Sequence, residues 1–394
     1  MRKFRTMVRL LFCNSQFRTV QKFILIFVVV ILFFMYIQER HSKEALIDLA
    51  LGSKNVEDLV KPYNDTLILN GLKFLGTTAG KEQRKNAFVV IVVTSLPGSE
   101  QRRSIIRETW GNKAFEQYGA TVVFFVGRPQ SLETLAKLHE EVRRYQDLIV
   151  DDFTESYYAL AIKTLRVMKY FQLHHPKSKF LVKTDDDVFV NVQNLVHYSY
   201  SVNKEMESRL RNQTSTSYFI GGVIHSGREP HTWNPFSKWY APSEVWNNVY
   251  DKVVDVVESS KTSETSELQL VHQSKLETKT VTVNTKSIDK TQYPPYAEGN
   301  FYILSDETVT AILKVSVNVP LYHLEDVYVT GVLATWVLGI EKENIPFISS
   351  SSNIFPRFSY AWFKLFTSPK DIIAFHCDNY VELMPSMYLE SRIV

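Results

Sequence analysis

Phe180-Leu181-Val182-Lys183-Thr184-Asp185-Asp186-Asp187-Val188-Phe189-Val190 sets three adjacent carboxylates between two apolar runs. Neighbouring carboxylates repel one another and waste strand propensity, so a fold rarely keeps them without a cation to neutralise them. Hard oxygen ligands suit Mg²⁺ or Mn²⁺, whose usual companion in a site with few protein ligands is a substrate phosphate. A solvated acidic turn between two strands is the alternative, and the surrounding sequence must decide.

Upstream, Ala87 to Thr94 (AFVVIVVT) is a continuous, mostly β-branched run of the kind a strand buried on both faces needs. After Leu96-Pro97-Gly98 the pattern predicts a helix from about Ser99 to Thr109. Then come a strand over Thr121 to Val126, a helix over Leu132 to Tyr145, a short strand over Asp147 to Val150 and a long helix over Tyr157 to Leu173. Phe180 to Lys183 is the fourth strand. This alternation argues for the α/β class, an open and mostly parallel sheet with helices on both faces. Ligands of such sheets gather at the carboxyl ends of strands, which is where Asp185, Asp186 and Asp187 fall.

The N-terminal region answers to a different solvent. The first 22 residues carry Arg2, Lys3, Arg5, Arg9, Arg18 and Lys22 and no acid, and they precede the uncharged run Phe23 to Ile37, FILIFVVVILFFMYI. Taken from Val20 to Gln38, the segment is about 28 Å long as a helix, enough for a hydrocarbon core of about 30 Å. The basic flank belongs in the cytosol, so residues 1–22 read as a cytosolic tail, 23–38 as an uncleaved signal anchor and the rest as lumenal. A cleaved signal peptide fits less well, because Gln38-Glu39-Arg40-His41 offers no small-residue cleavage site. Residues 39–86 read as a stem and 87–394 as the catalytic domain, with a polar insertion at about 251–291. The sequons at Asn64 and Asn212 both fall on the lumenal side. The tail's six basic residues contribute +6 to a chain whose net charge is +3, which leaves the remainder at about −3 and argues against nucleic-acid binding. Of the 2 cysteines only Cys377 is lumenal, so no lumenal disulfide can form within the chain, and a homodimer linked through Cys377 stays open.

Several segments recur with the acidic triplet in a fixed order: Ile106-Arg107-Glu108-Thr109-Trp110-Gly111, Phe125-Val126-Gly127, Asp152-Phe153 with Tyr157 and Lys163-Thr164, Tyr293-Pro294-Pro295-Tyr296 with Gly299 and Tyr302, and Glu325-Asp326-Val327 with Gly331. With them the chain resembles the β-1,3-galactosyltransferase family, glycosyltransferase family 31, over roughly Ala87 to His376. The resemblance implies a GT-A type fold, a UDP-sugar donor, a divalent ion (Mn²⁺ or Mg²⁺) and transfer with inversion to a 3-hydroxyl of a glycan acceptor on a glycoprotein or glycolipid. It also implies a single-pass type II protein of the Golgi membrane. Galactose is the expected sugar, with N-acetylglucosamine and N-acetylgalactosamine as alternatives.

The family pattern makes Asp187 the direct metal ligand, with Asp185 and Asp186 nearer the ribose and behind the ion, and Lys183 adding positive charge. Asp326 matches the base that takes the acceptor proton, although Glu325 and Asp326 also precede an apolar helical run and can complement its dipole. His376 is implied beside the metal or diphosphate. Arg103 and Arg107, on the first helix, are expected to reach the diphosphate or uracil; Arg102 and Arg103 cannot both point inward. Asp152 is expected at the uridine or ribose, and Lys163 lines the donor site or lies exposed on its helix. Trp233, Trp239, Tyr240 and Trp246 form a candidate aromatic wall for the acceptor, against the commoner fate of core. The chain departs from the family at Ala297, where cysteine is usual, and in the insertion before Tyr293. A catalytically silent chaperone or scaffold on the same fold is the rival reading.

Overall fold

Val89, Ile91 and Val93 face one apolar core while Val90 and Val92 face another, because successive strand side chains point to opposite sides. All five are fully buried, each contributing about 1.5–3 kcal/mol relative to exposure. The computed structural model describes residues 15–51, 56–60, 67–71, 86–112, 114–211, 217–262, 288–345, 347–348, 372–377 and 381–392. Its elements are α1 (Ser15–Leu51), α2 (Val56–Val60), β1 (Leu67–Asn70), β2 (Val89–Thr94), α3 (Glu100–Glu108), α4 (Ala114–Tyr118), β3 (Ala120–Arg128), α5 (Leu132–Tyr145), β4 (Leu148–Thr154), α6 (Leu160–His174), β5 (Phe180–Asp185) and β6 (Val188–Val190). There follow α7 (Val192–Arg211), β7 (Ile220–His225), α8 (Ser243–Thr262), β8 (Tyr296–Ser305), α9 (Asp306–Ser316), α10 (Val327–Val337), β9 (Glu343–Asn344), β10 (Phe347–Ile348), β11 (Ala374–His376) and α11 (Met384–Arg392).

The main sheet has the order β1-β4-β3-β2-β5-β8-β7-β9. Its centre, β4-β3-β2-β5, is parallel, and β8 joins antiparallel to β5. A small second sheet, β10-β11-β6, sets β11 antiparallel to β6 so that His376 is opposite Val188. This is the expected α/β architecture, in agreement with a GT-A type fold behind one apolar N-terminal helix. The chain runs outward from β2 to β3 and β4, then returns to the other flank of β2 as β5. That reversal opens a crevice at the carboxyl ends of β2 and β5.

Two segments differ from expectation. The expected stem is partly built into the domain: α1 continues without a break from the apolar run to Leu51, and β1 adds an antiparallel edge strand to β4. The cause is residue spacing. Ile47 and Leu51, four apart on one helical face, are buried against the same core as Val56 and Leu59. The polar insertion also begins later than expected. Residues up to Thr262 complete α8, whose Trp246, Val249, Val253 and Val257 bury one stripe at helical spacing, and only residues 263–287 of the expected insertion lie outside the described residues. Asn64 and Asn212 also lie outside them. Cys377 is buried, and burial pushes its thiol up to about 12, so a disulfide between chains would require the domain to open.

Candidate active site

The carboxyl ends of β2 and β5 meet at the acidic triplet. Thr94 Oγ1 donates to Asp185 Oδ1 at 2.6 Å and Ser95 Oγ donates to Asp186 Oδ2 at 2.7 Å, so the end of β2 holds the end of β5. Arg102 reaches in from α3, its Nη1 standing 2.9 Å from Asp186 Oδ1 and 3.3 Å from Asp187 Oδ2. The environments split the two acids. Burial raises the Asp186 carboxyl; for Asp187 burial acts the same way, but His376 and Arg102 outweigh it and hold the group below its ordinary value. Asp187 therefore remains an anion at neutral pH.

The second sheet completes this corner. Asp187 accepts the Cys377 N–H through its backbone carbonyl at 2.7 Å, which ties the triplet to the end of β11. His376 Nε2 lies 3.5 Å from Asp187 Oδ1, and Asn300 Nδ2 lies 3.0 Å from His376 Nδ1. The ring faces Asp187 through Nε2, the nitrogen whose lone pair a cation would take. Asp187 Oδ1 is buried and makes no hydrogen bond. An anionic oxygen left so is costly in the absence of a cation. Among the described residues no group of three or more ligating side chains converges on one point. The donor set thus fits a cation that takes two protein ligands, Asp187 and His376, and completes its shell from phosphate and water.

On the far side of Lys183 a second acidic pair faces the crevice. Lys183 Nζ donates to Asp185 Oδ1 at 2.7 Å and to the Gly299 carbonyl, and lies 3.9 Å from Glu325 Oε2. Burial would lower the Lys183 ammonium, but Asp185 and Glu325 raise it above its ordinary value, so it stays charged. Glu325 is buried and accepts from the Tyr302 hydroxyl at 2.5 Å; burial pushes its carboxyl up to about 7. Asp326 is only half-buried, raised by burial, and caps the following helix by accepting the Val327 N–H at 2.8 Å through Oδ1. Gly299 makes this approach feasible, since a Cβ there would stand 3.3 Å from Glu325 Oε2 and 3.5 Å from Asp326 Oδ2.

α10, which follows Asp326, is wound as a π-helix, a rare form that is frequent at functional sites. Leu338 N–H reaches back five residues to the Leu333 carbonyl at 3.1 Å. Thr330 Oγ1 accepts from Ala297 N–H at 2.8 Å and donates to the Asp326 carbonyl at 2.7 Å, tying the helix to β8. Gly331 packs so closely that a Cβ would meet Pro294 Cγ at 2.9 Å. The Tyr293-Pro294-Pro295-Tyr296 segment is therefore a clamp on the helix that carries Asp326.

The Glu325 carboxyl has a pH signature. Its folded value of about 7 lies above the ordinary 4.5, so the folded protein binds the extra proton between those values. Stability from this group is fully present below about pH 4.5 and is lost as pH rises through 7. Glu325→Gln is expected to remove this slope and to gain on the order of 2 kcal/mol over wild type at pH 8 relative to pH 5. Thermal midpoints of both proteins at the two pH values provide the check.

The structure directs Arg103 and Arg107 away from the triplet. Arg103 is fully buried and makes a two-pronged pair with Glu141 at 2.7 Å, also donating to the Leu96 and Pro97 carbonyls. Arg107 pairs with Asp147 at 2.8 Å and stacks over Phe124 and Tyr145. The reason is helical phase: Arg103 lies three residues from fully buried Ile106 and shares its face, while Arg102, about 100° around α3, looks into the crevice. Arg103→Met leaves Glu141 with only Arg107 and is expected to cost about 3 kcal/mol in denaturant unfolding, with UDP affinity little changed if the protein is folded.

Lys163 is likewise an internal brace, donating to the Ser95 carbonyl and to Glu155 Oε1 at 2.7 Å each, while Glu155 also accepts the Gly127 N–H. Asp152 is exposed and pairs with Arg128. The two line an open cleft of about 400 Å³ with Ile68, Gln130 and Leu132 at the ends of β3 and β4. Of the aromatic cluster, Trp246 and Tyr240 are core, with Trp246 packed on Tyr293, Tyr322 and Trp336. Sequence reasoning passed over Arg102, Asn300 and Glu298. Glu298-Gly299-Asn300 stitches the two halves of the site, since Asn300 holds His376, Gly299 receives Lys183, and Glu298 accepts from Asn300 and meets His225 at 3.3 Å.

The chain is 28% identical to mouse and human beta-1,3-galactosyltransferase 1 over 263 residues, 66% of this chain and 64% of the relative, just under two thirds of the relative's length. It is 28% identical to human beta-1,3-galactosyltransferase 2 over 265 residues, 66% of this chain and 50% of the relative. Among solved structures, the apo WbbM bifunctional glycosyltransferase aligns with a TM-score of 0.34 at 12% identity, over 74% of this chain and 46% of that one. A core-mannan synthase from Aspergillus fumigatus, in a Mn/GDP form, aligns with a TM-score of 0.31 at 12% identity, over 71% and 75% of the two chains. The model of the family described as Galactosyltransferase matches residues 101–346, which hold the acidic triplet, Lys183, Gly299, Glu325 and Asp326, and by that match the chain belongs to the galactosyltransferase family.

Proposed function

We propose that this chain is an inverting, metal-dependent glycosyltransferase that moves galactose from UDP-galactose to a 3-hydroxyl of a glycan acceptor, with UDP-N-acetylglucosamine or UDP-N-acetylgalactosamine as the alternative donors. The observation that carries the proposal is the placing of two acidic clusters across Lys183. Asp187 with His376 makes an anion- and cation-ready corner on one side, and half-buried Asp326 lies on the other. Family membership agrees with glycosyl transfer.

In this reading Asp187 and His376 hold Mn²⁺ or Mg²⁺, which when bound offsets the charge that develops on the diphosphate of the leaving group. Arg102 holds Asp186 and Asp187 in place and adds positive charge at the same corner. Asp185, fixed by Thr94 and Lys183, would face the ribose, and the Arg128–Asp152 cleft at the ends of β3 and β4 would take the base. Asp326 Oδ1 accepts the Val327 N–H, and Oδ2, beside Gly299, would accept the proton of the acceptor hydroxyl. Its carboxyl, raised by burial, is a stronger base than a solvated aspartate.

α1 is long and apolar enough to cross a membrane, with its apolar stretch Phe23–Met35 exposed throughout. Together with the basic N-terminal flank this supports a type II anchor and a lumenal domain in the Golgi membrane. The test is release of UDP by the full-length chain in detergent, with each UDP-sugar in turn, Mn²⁺ or EDTA, and a panel of glycan acceptors. Acceptor-stimulated, EDTA-sensitive release with one sugar establishes the reaction and its donor. Release that EDTA leaves unchanged would remove the metal from the proposal.

A further inference from the structure

The loop from His231 to Tyr240 presents three large aromatic side chains to solvent: Trp233 is 72% exposed, Phe236 56% and Trp239 51%. The loop is shaped to do so. Asn234 Oδ1 accepts the Phe236 N–H, Ser237 Oγ accepts the Trp239 N–H at 3.1 Å, and His231 bridges to buried Tyr240 across its base. It is also held at a fixed level on α1. The Tyr36 hydroxyl donates to the Trp233 carbonyl at 3.1 Å, Lys43 Nζ to the Ser237 carbonyl at 3.0 Å, and the Tyr240 hydroxyl to Glu44 Oε1 at 3.2 Å.

Tyr36 follows directly on the run Phe23–Met35, in which every side chain is at least 42% exposed and apolar. The contacts from Tyr36 to Lys43 cover two turns of helix, about 10 Å. They begin where the apolar run ends, which is the level of the headgroups when that run lies in hydrocarbon. Trp and Tyr prefer this zone, where an apolar ring meets water at one edge. Lys238, exposed and 4.6 Å over the Trp239 ring, can extend its ammonium to lipid phosphate while its stem stays apolar.

We propose that the aromatic loop His231–Tyr240 lies in the bilayer interface, with Trp233, Phe236 and Trp239 among the headgroups and upper acyl chains, and seats the catalytic domain directly on the membrane. The proposal rests on the reading of α1 as a membrane span. It assigns these rings to lipid; the acceptor glycan is their other conceivable occupant, and the test separates the two.

The full chain is reconstituted into phosphatidylcholine vesicles carrying lipids brominated in the upper or the lower half of the acyl chain. α1 contains no tryptophan, so any quenching comes from the six indoles elsewhere in the chain. The expected result is quenching by the upper bromines more than by the lower, and loss of most of that quenching in a W233F/W239F double variant with an unchanged thermal midpoint. The quenched component is at most about a third of the emission, two indoles among 6. Absence of quenching in wild type, or equal quenching in the double variant, overturns the proposal. So does a tryptophan response to free oligosaccharide acceptor where bromolipid gives none. An alkaline carbonate wash reports separately on the span: a chain released by the wash defeats the anchor reading, while a chain retained but unquenched defeats the loop proposal alone.

Discussion

Asp326→Asn is expected to reduce turnover on the order of a thousand-fold while UDP and metal binding stay near wild type. The amide keeps the shape of the carboxylate and can still accept the Val327 N–H through its oxygen, so the start of α10 is preserved. What is lost is the basicity of the carboxylate. Base catalysis by a positioned side chain is typically worth a hundred- to ten-thousand-fold, and a loss of about a thousand-fold is the middle of that range. The check is kcat and KM against UDP affinity measured by calorimetry on the same preparation. Turnover within tenfold of wild type would remove Asp326 from the mechanism. Glu325 would then be the next candidate, although it is more deeply buried and already accepts from Tyr302.

The complementary result is expected from Asp187→Ala: loss of metal-dependent UDP binding by about a thousand-fold or more, with EDTA having no further effect. Asp187 is held below its ordinary value by His376 and Arg102, and its Oδ1 is buried without a hydrogen bond. Its removal also takes the carboxylate from in front of His376 and leaves Arg102 to hold Asp186. Asp186→Ala is the informative contrast. That carboxylate is fully used by Ser95 and Arg102, so its loss should weaken the crevice without abolishing the metal requirement. Mn²⁺-dependent UDP titrations of the two variants distinguish these outcomes, and equal effects would argue that the triplet acts only as a diffuse negative field.

The parts of this arrangement that could be read in the sequence are those governed by period and by punctuation. AFVVIVVT reads as a strand buried on both faces because nothing in it is polar before Thr94, and the structure gives each face its own core. The acidic triplet was legible because a strand end is the natural place for a cluster that strands reject. Which of two adjacent arginines enters a crevice is a matter of helical phase relative to a core residue, and fixing that phase requires knowing that Ile106 rather than Ile105 is the fully buried neighbour. The stem was misread for a related reason. Its buried positions, Ile47, Leu51, Val56 and Leu59, are separated by polar residues and become a surface only when the domain supplies the other half. The aromatic cluster divided in two because Trp246 belongs to an i, i+3, i+7 stripe on α8, whereas Trp233 and Trp239 fall in a loop without any period.

α1 passes from the apolar run into the core with no intervening turn, so the domain has no tether. In a bilayer, and with the function proposed above, this would make the protein a ruler. The elevation of its reaction centre above the lipid is set by helical rise, and one residue inserted between Met35 and Ile47 would raise the domain by about 1.5 Å and swing it by about 100°. Acceptors would then be sorted by how far their reactive hydroxyl stands from the membrane as well as by their chemistry. A glycan on a stalk of the wrong height would be passed over even when its terminal sugar is correct.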